Sequence, residues 1–248
     1  MDLVHTGLLF LVGATAGFIN VMAGGGSSIT LPALIFLGLD GATANGTNRI
    51  GIFIQNIFAI LSFRQQQVKD VRRSLQLAVF TLPGAILGAL VAVRISDLWF
   101  QRILAIIMVG IVLSLFAPTP SVATQGSPTG RANPWIYPAL VGVGFYGGFV
   151  QVGVGFLFMA ALYHLLKMNL VYVNMHKVFI VFIYTLPALL IFILSGKVNW
   201  LYGFTLAAGN ATGAWFSARV AVRGGDRVIR TVLAVAILLM AARLLGAV

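Results

Sequence analysis

The sequence predicts an all-α polytopic membrane protein made of two inverted-topology repeats, with about 8 conventional transmembrane helices or up to 10 segments when broken and half-helices are counted. Three observations lead there. The 248 residues are 60% hydrophobic and only 8% charged, against roughly 25% charged in ordinary soluble domains. Several uncharged runs approach or exceed the roughly 20 residues that span a bilayer as a helix. Finally, the two halves of the chain share glycine, amide and basic positions in the same order. A soluble fold could not cover this much apolar surface.

Residues 3–39 contain no Asp, Glu, Lys or Arg, yet Gly24-Gly25-Gly26-Ser27-Ser28 interrupts them. A helix of that whole length would measure about 55 Å, well beyond a hydrocarbon core of about 30 Å. The run must break, and the glycine triplet is the place. The stretch that follows, about Ile29–Gly38, is a half-span whose N-terminus lies deep in the membrane. Pro32 fits a first helical turn, and Ser27 or Ser28 is expected as its N-cap. The start, Met1-Asp2-Leu3-Val4-His5, lacks a basic region and reads as an uncleaved first segment.

Further segments fall at about Thr43–Phe63, Ser74–Val93 and Trp99–Ala117, then at Trp135–Gly153, Phe156–Leu166, Leu170–Leu194, Val198–Ala218 and Val228–Leu245. Trp99, Trp135 and Trp200 stand near segment starts, as interfacial anchors do. A polar stretch, 118–134, rich in Pro, Ser, Thr and Gly, divides a first membrane repeat (1–117) from a second (135–248).

Gly13, Gly17, Phe18 and Asn20 match Gly144, Gly148, Phe149 and Gln151 at an offset of 131. Asn48-Arg49-Ile50 matches His176-Lys177-Val178 at 128, and Gly84, Gly88 and Arg94 match Gly209, Gly213 and Arg219 at 125. Loop 64–73 carries a net charge of +3, whereas its counterpart near 195–199 has Lys197 alone. In the second half the +3 loop is instead 219–230. Cytoplasmic loops collect Lys and Arg, so both basic loops share one side only if the repeats are inverted. Both termini are then expected outside.

The same composition excludes whole classes of function. There is no cysteine and no glutamate, and three histidines and five aspartates leave little for metal or acid–base catalysis. No enzyme and no cofactor are expected. The net charge of +11 sits in loops between apolar runs rather than in a basic stretch with interleaved aromatics, so nucleic acid is not an expected partner. Gly142-Val-Gly144-Phe-Tyr-Gly147 satisfies G-x-G-x-x-G but lies in an apolar helix with no strand before it and no acid near it. The sequons at Asn45 and Asn210 lie in or beside membrane segments and read as fortuitous.

The pairs Gly13/Gly17, Gly84/Gly88, Gly144/Gly148 and Gly209/Gly213 have small-x-x-x-small spacing, which lets helix backbones approach closely. Packing is their expected role. The triplet is different, because unwound backbone inside a membrane is tolerated only against protein or a water-lined cavity. Free N–H groups and the positive end of a helix dipole make a natural anion site. The second repeat offers only Gly153-Val-Gly155 there.

Arg49 and Lys177 sit at equivalent repeat positions in otherwise apolar segments. A cation at mid-membrane costs at least about 2.5–3.5 kcal/mol on insertion scales. Either each reaches the headgroups, or the two line an anion pathway; with every aspartate in a loop or terminus, their counterion would then be the substrate. His176 is the remaining candidate to carry a proton, beside a purely structural role. Asn20 and Gln151 flank the breaks, placed either to hydrogen-bond a substrate or to hold the broken backbone.

The order Gly17-Phe18, Gly24-Gly25-Gly26, Pro32, Gly46-Thr47-Asn48, then Met175-His176-Lys177-Val178 and Gly209-Asn210-Ala211-Thr212-Gly213-Ala214 with Arg219 resembles the sulfite exporter TauE/SafE family, also called the toluene sulfonate uptake permease family. The resemblance covers Gly13 to about Leu245. It implies a multi-pass transporter of the bacterial inner (plasma) membrane for small sulfur-containing anions such as sulfite or sulfonates, and the expected activity is export of sulfite or organosulfonates such as sulfoacetate by alternating access. It carries over the break glycines, Thr47-Asn48 and His176-Lys177 as neighbours of the site. Phe156 departs from it, standing where a richer glycine–serine run is expected.

The expected substrate-binding set is therefore Asn20, Gly24, Gly25, Gly26, Ser27, Ser28, Thr47, Asn48, Arg49, Gln151, Gly153, Gly155, His176 and Lys177. Its expected partners are a small anionic substrate and the lipid bilayer, with homo-oligomer formation left open. The alternatives are an uptake permease or exchanger for another small anion, and a non-transporting membrane scaffold.

Overall fold

A computed structural model describes residues 3–113 and 133–244. Most of the expected linker and the two chain ends lie outside the described residues. Those described form helices and loops without a strand. In chain order the helices are α1 (Leu3–Met22), α2 (Ser27–Phe36), α3 (Gly41–Gln65), α4 (Val71–Arg94), α5 (Asp97–Leu113), α6 (Ile136–Phe149), α7 (Val154–Leu166), α8 (Leu170–Leu194) and α9 (Trp200–Leu244). Gly225, at φ 58° and ψ −160°, splits α9 and brings the helical pieces to ten. Among the described residues α1, α4 and α8 hold windows long and apolar enough to cross a membrane on composition alone. α2, α6 and α7 are shorter apolar helices.

Four of the helices start at a side-chain cap. Asp40, Asp70 and Asn169 cap α3, α4 and α8, accepting from the amides of Thr43, Arg73 and Tyr172 at 3.1, 3.2 and 3.0 Å. Such caps satisfy amides that a helix start otherwise leaves without partners. Asn199 does the same for the start of α9, accepting from Tyr202 N at 3.1 Å. The cap of α2 is a correction to the expectation. Gly26, not Ser27 or Ser28, occupies that position and makes no side-chain cap bond. Gly26 itself already has helical dihedrals (φ −58°, ψ −36°), so both serines belong to the helix, and a Cβ on Gly26 would overlap Ala16 O of α1.

The helices pack across the halves of the chain. The most extensive contacts join α1 to α9, α3 to α9, α4 to α6 and α4 to α8, with α3 against α8 between them. Exchanging α1 with α6, α3 with α8 and α4 with α9 leaves this set unchanged. The four glycine pairs lie in the two closest interfaces. A Cβ on Gly13 or Gly17 would overlap the α9 backbone at Leu206 and Asn210, and one on Gly209 or Gly213 would strike the α1 carbonyls of Phe10 and Ala14. Gly84 and Gly88 stand in the same relation to Val141 and Phe145 of α6, and Gly144 and Gly148 to Thr81 and Ala85 of α4. Dispersion between close backbones replaces the hydrophobic drive that lipid does not supply. Outward faces carry Leu11, Leu87, Ile106, Leu201 and Phe216, all exposed, as lipid contact requires.

Candidate functional site

Two helix breaks meet at the centre of the bundle. In the first, Ala23 N and Gly24 N both donate to Ile19 O, at 2.7 and 3.1 Å, and Gly24 turns the chain at φ +91°. Ser28 closes the turn from its amide and hydroxyl, which donate to Gly25 O at 3.1 and 2.6 Å. In the second break Gln151 and Gly153 take φ values of +66° and +68°, and the Tyr146 hydroxyl donates to Val152 O. The breaks touch. A Cβ on Gly24 would overlap the backbone of Gly155, and one on Gly155 would overlap Gly24. Glycine is required at both places by this close approach, and at Gly24 by its dihedral as well.

The carbonyls left free where α1 and α6 end are held by the opposite half of the chain. The Lys177 ammonium, on α8, donates to Asn20 O at 3.1 Å, Val21 O at 2.8 Å and Asn174 Oδ1 at 2.7 Å, with Met159 Sδ at 3.7 Å. Asn174 Nδ2 in turn donates to Met22 O at 3.2 Å. At the other end the Arg49 guanidinium, on α3, donates to Gly147 O at 3.2 Å, Gly148 O at 2.5 Å and Asn45 Oδ1 at 3.4 Å. Asn45 Nδ2 donates to Phe149 O at 2.7 Å, and the guanidinium lies 4.7 Å from the Phe192 ring centroid. Each half thus contributes an Asn–cation pair that clasps the C-terminal end of the other half's first helix. Cations are favoured there because the helix dipole is negative at that end. Neither residue reaches the headgroups, with exposures of 0% for Arg49 and 2% for Lys177.

Beside the Lys177 clasp is a cavity of about 10 Å³, lined by Asn20, Ser27, Gln55, Asn56, Gln151 and Lys177 together with Gly155 and apolar residues of α3, α7 and α8. It has room for about one water. No aspartate lines it. Asn56 Nδ2 donates to Ile52 O at 2.7 Å, and Gln151 Nε2 reaches Thr185 Oγ1 at 3.4 Å, while the side-chain oxygens of Gln55 and Gln151 have no partner. Buried amides without partners are costly, which marks this as a place kept polar against the packing preference of its surroundings.

Of the expected set the cavity gathers Asn20, Ser27, Gln151, Gly155 and Lys177. Gly24, Gly25, Gly26, Ser28 and Gly153 form the breaks beside it. Thr47 accepts from Asn199 N at 2.9 Å, and Asn48 Oδ1 accepts from Thr30 Oγ1 at 2.7 Å, so both are engaged away from the cavity. His176 Nδ1 lies 2.8 Å from Ser74 Oγ, and its Nε2 is buried without a partner. Arg49 does not line the cavity. Gln55 and Asn56 were missed, because their place at the cavity follows from how α3 packs against the two breaks. Asn45 and Asn174 were missed as clasp residues, and their place three or four residues before a buried cation was the clue. Among the described residues no three His or Asp side chains gather where a metal ion could be held.

Packed broken helices, lipid-facing apolar surfaces and a polar centre define a polytopic integral membrane protein. Comparison with known proteins narrows the class. The family model for the sulfite exporter TauE/SafE matches residues 9–244, and the chain belongs to that family of membrane transporters. It is 30% identical over 239 residues to a Haemophilus influenzae protein named "Probable membrane transporter protein", covering 96% of this chain and 93% of that one. It is also 30% identical to "Probable membrane transporter protein YfcA" of Escherichia coli K12, over 96% of this chain and 89% of that one. "Probable membrane transporter protein YunE" of Bacillus subtilis is 25% identical, over 86% of each chain. No solved structure matches the chain.

Proposed function

We propose that this chain exports small sulfur-containing anions, sulfite or organosulfonates, across a bacterial inner membrane by alternating access between two inverted repeats. The observation that carries the reading is the buried Lys177 ammonium bordering a polar cavity between two opposed helix breaks, with no acidic side chain in the cavity wall. An anion held there meets the Lys177 ammonium, the amides of Asn20, Gln55, Asn56 and Gln151, and the hydroxyl of Ser27. The broken backbone beside it belongs to the arrangement by which transporters bring helix ends to the membrane midplane. The exchange-invariant packing of α1, α3 and α4 with α6, α8 and α9 supports a duplicated unit, and the two +3 stretches at non-equivalent places, 64–73 and the kinked part of α9 at 219–230, support its inversion.

The test is flux. Purified protein in liposomes is loaded with sulfite, and efflux is followed under imposed gradients of each sign. Lys177→Gln is expected to lower the rate about tenfold or more, since a charge-assisted hydrogen bond contributes about 1.5–3 kcal/mol. Unchanged flux in that variant would remove Lys177 from the substrate path. Flux driven inward in preference to outward would replace export by uptake.

A further inference from the structure

The cavity as it stands cannot hold the proposed cargo. Its volume of about 10 Å³ takes one water, and an oxyanion with three oxygens around a sulfur needs several times that space. The closed arrangement must therefore give way when an anion enters, and some wall group must register that the entrant is negative. Among the polar residues of that wall only Lys177 carries a positive charge, and it is also one of the ties that close the wall. Its hydrogen bonds run to the backbone of Asn20 and Val21, and the Asn20 residue itself lines the cavity. One ammonium has three protons to donate. Those of Lys177 serve Asn20 O, Val21 O and Asn174 Oδ1, so it has no further proton for an anion unless a carbonyl is released.

We propose that the anion binds by drawing the Lys177 ammonium off the Asn20 and Val21 carbonyls, so that the same nitrogen is substrate ligand and latch. This rests on the transport reading above. Loss of that tie leaves the C-terminal end of α1 held from α8 by Asn174 Nδ2 at Met22 O and loosens the turn at Ala23 and Gly24, the backbone that lies against Gly155 of the second break. The ligand class is a compact anion that accepts hydrogen bonds, since a cation would be repelled and a neutral molecule could not outcompete carbonyls at the negative end of a helix dipole. The Arg49 clasp is outside this switch. Its guanidinium is engaged on Gly147 and Gly148 and has no place in the cavity wall.

The chain has no cysteine, so a single thiol can report on the latch without background. Ala23→Cys, at a position now fully buried, is labelled with a small thiol reagent in liposomes with and without sulfite, while thermal stabilisation by sulfite is measured in parallel. Sulfite is expected to stabilise the protein and to raise labelling about tenfold, whereas in Lys177→Met labelling should already be high and indifferent to sulfite. Asn174→Ala, which removes one acceptor from the ammonium and the Asn174 bond to Met22 O, gives the opposite signature to simple damage. Its half-saturating sulfite concentration should fall about three- to tenfold, because less of the binding free energy goes into breaking the latch. Stabilisation by sulfite with labelling unchanged, or weaker binding in Asn174→Ala, overturns the latch and leaves the transport reading standing. Absence of any stabilisation or flux in the unmutated protein overturns both.

Discussion

Arg49 and Lys177 perform the same local task at two related places, and the difference between them is instructive. Each stands on the long helix that follows its half's break, each is partnered by an asparagine one turn earlier, and each clasps carbonyls where the other half's first helix ends. Arg49 brings a planar fork that spans two successive carbonyls and stacks on Phe192. Lys177 brings a point charge on a flexible stem, beside a cavity. A guanidinium fixed by several hydrogen bonds suits a permanent joint; an ammonium that can turn on its stem suits a contact made and released. On the latch proposal the two clasps divide the work, the Arg49 end staying fastened and the Lys177 end opening.

The strongest way to break this comparison is to remove the fastening. Arg49→Met would leave the Gly147 and Gly148 carbonyls buried without their donor, at about 1–3 kcal/mol apiece. We expect a large loss of thermal stability in detergent that sulfite does not restore. Lys177→Met should cost less, because water from the neighbouring cavity can serve the freed carbonyls of α1. Equal losses for the two variants would contradict the division of work.

Gly17 and Gly148 allow a second, smaller comparison. They match at an offset of 131 in the sequence, and a Cβ on either would overlap backbone of the helix opposite, at Asn210 of α9 and Ala85 of α4. Gly17→Ala and Gly148→Ala are each expected to destabilise by about 1–3 kcal/mol, the range for overpacking a close interface. The measurement is unfolding in detergent. The Gly148 variant should be the worse of the two, since its carbonyl is also the closer acceptor of the Arg49 fork.

How far this arrangement could be foreseen depends on which physical rule speaks locally. Segments announced themselves by length and lack of charge, and Leu170–Leu194 falls where the sequence puts it. The break at the glycine triplet was legible because no bilayer accommodates a helix of that length. Its fine geometry was not, since serine's preference for a cap was outweighed by a close approach to Ala16 of α1 that only a glycine at 26 permits. Arg49 and Lys177 stood out as costly cations, but their partners are backbone carbonyls from the other half of the chain, which have no sequence signature. Gln55 and Asn56 went unremarked for a related reason. Their importance comes from α3 crossing the two breaks, a fact of packing rather than of local pattern.

The mildest comparison concerns the starts of α3 and α8. Asn169 caps α8 without charge, whereas Asp40 caps α3 as a carboxylate, accepting from the Thr43 amide and hydroxyl and lying 3.4 Å from Lys197 Nζ. Partial burial pushes the Asp40 carboxyl up, but the Thr43 hydrogen bonds and the Lys197 charge together outweigh this and hold it below its ordinary value. A carboxyl whose pKa is depressed by folding stabilises the fold above its unfolded value, and that contribution fades as pH falls through the folded one. Acid should therefore loosen the α3 start below about pH 4 and leave the α8 start untouched. Asp40→Asn keeps a cap and loses the charge, so its deficit relative to the unmutated protein is expected to be under about 1 kcal/mol at neutral pH, as exposed pairs give. That deficit should shrink on acidification, whereas Asp40→Ala, which also loses the cap at about 0.5–2 kcal/mol, should stay destabilised at every pH. Hydrogen exchange at the amides of Thr43 and Tyr172 reads the two ends separately; equal acid sensitivity at both would mean that the Asp40 charge does not set the difference.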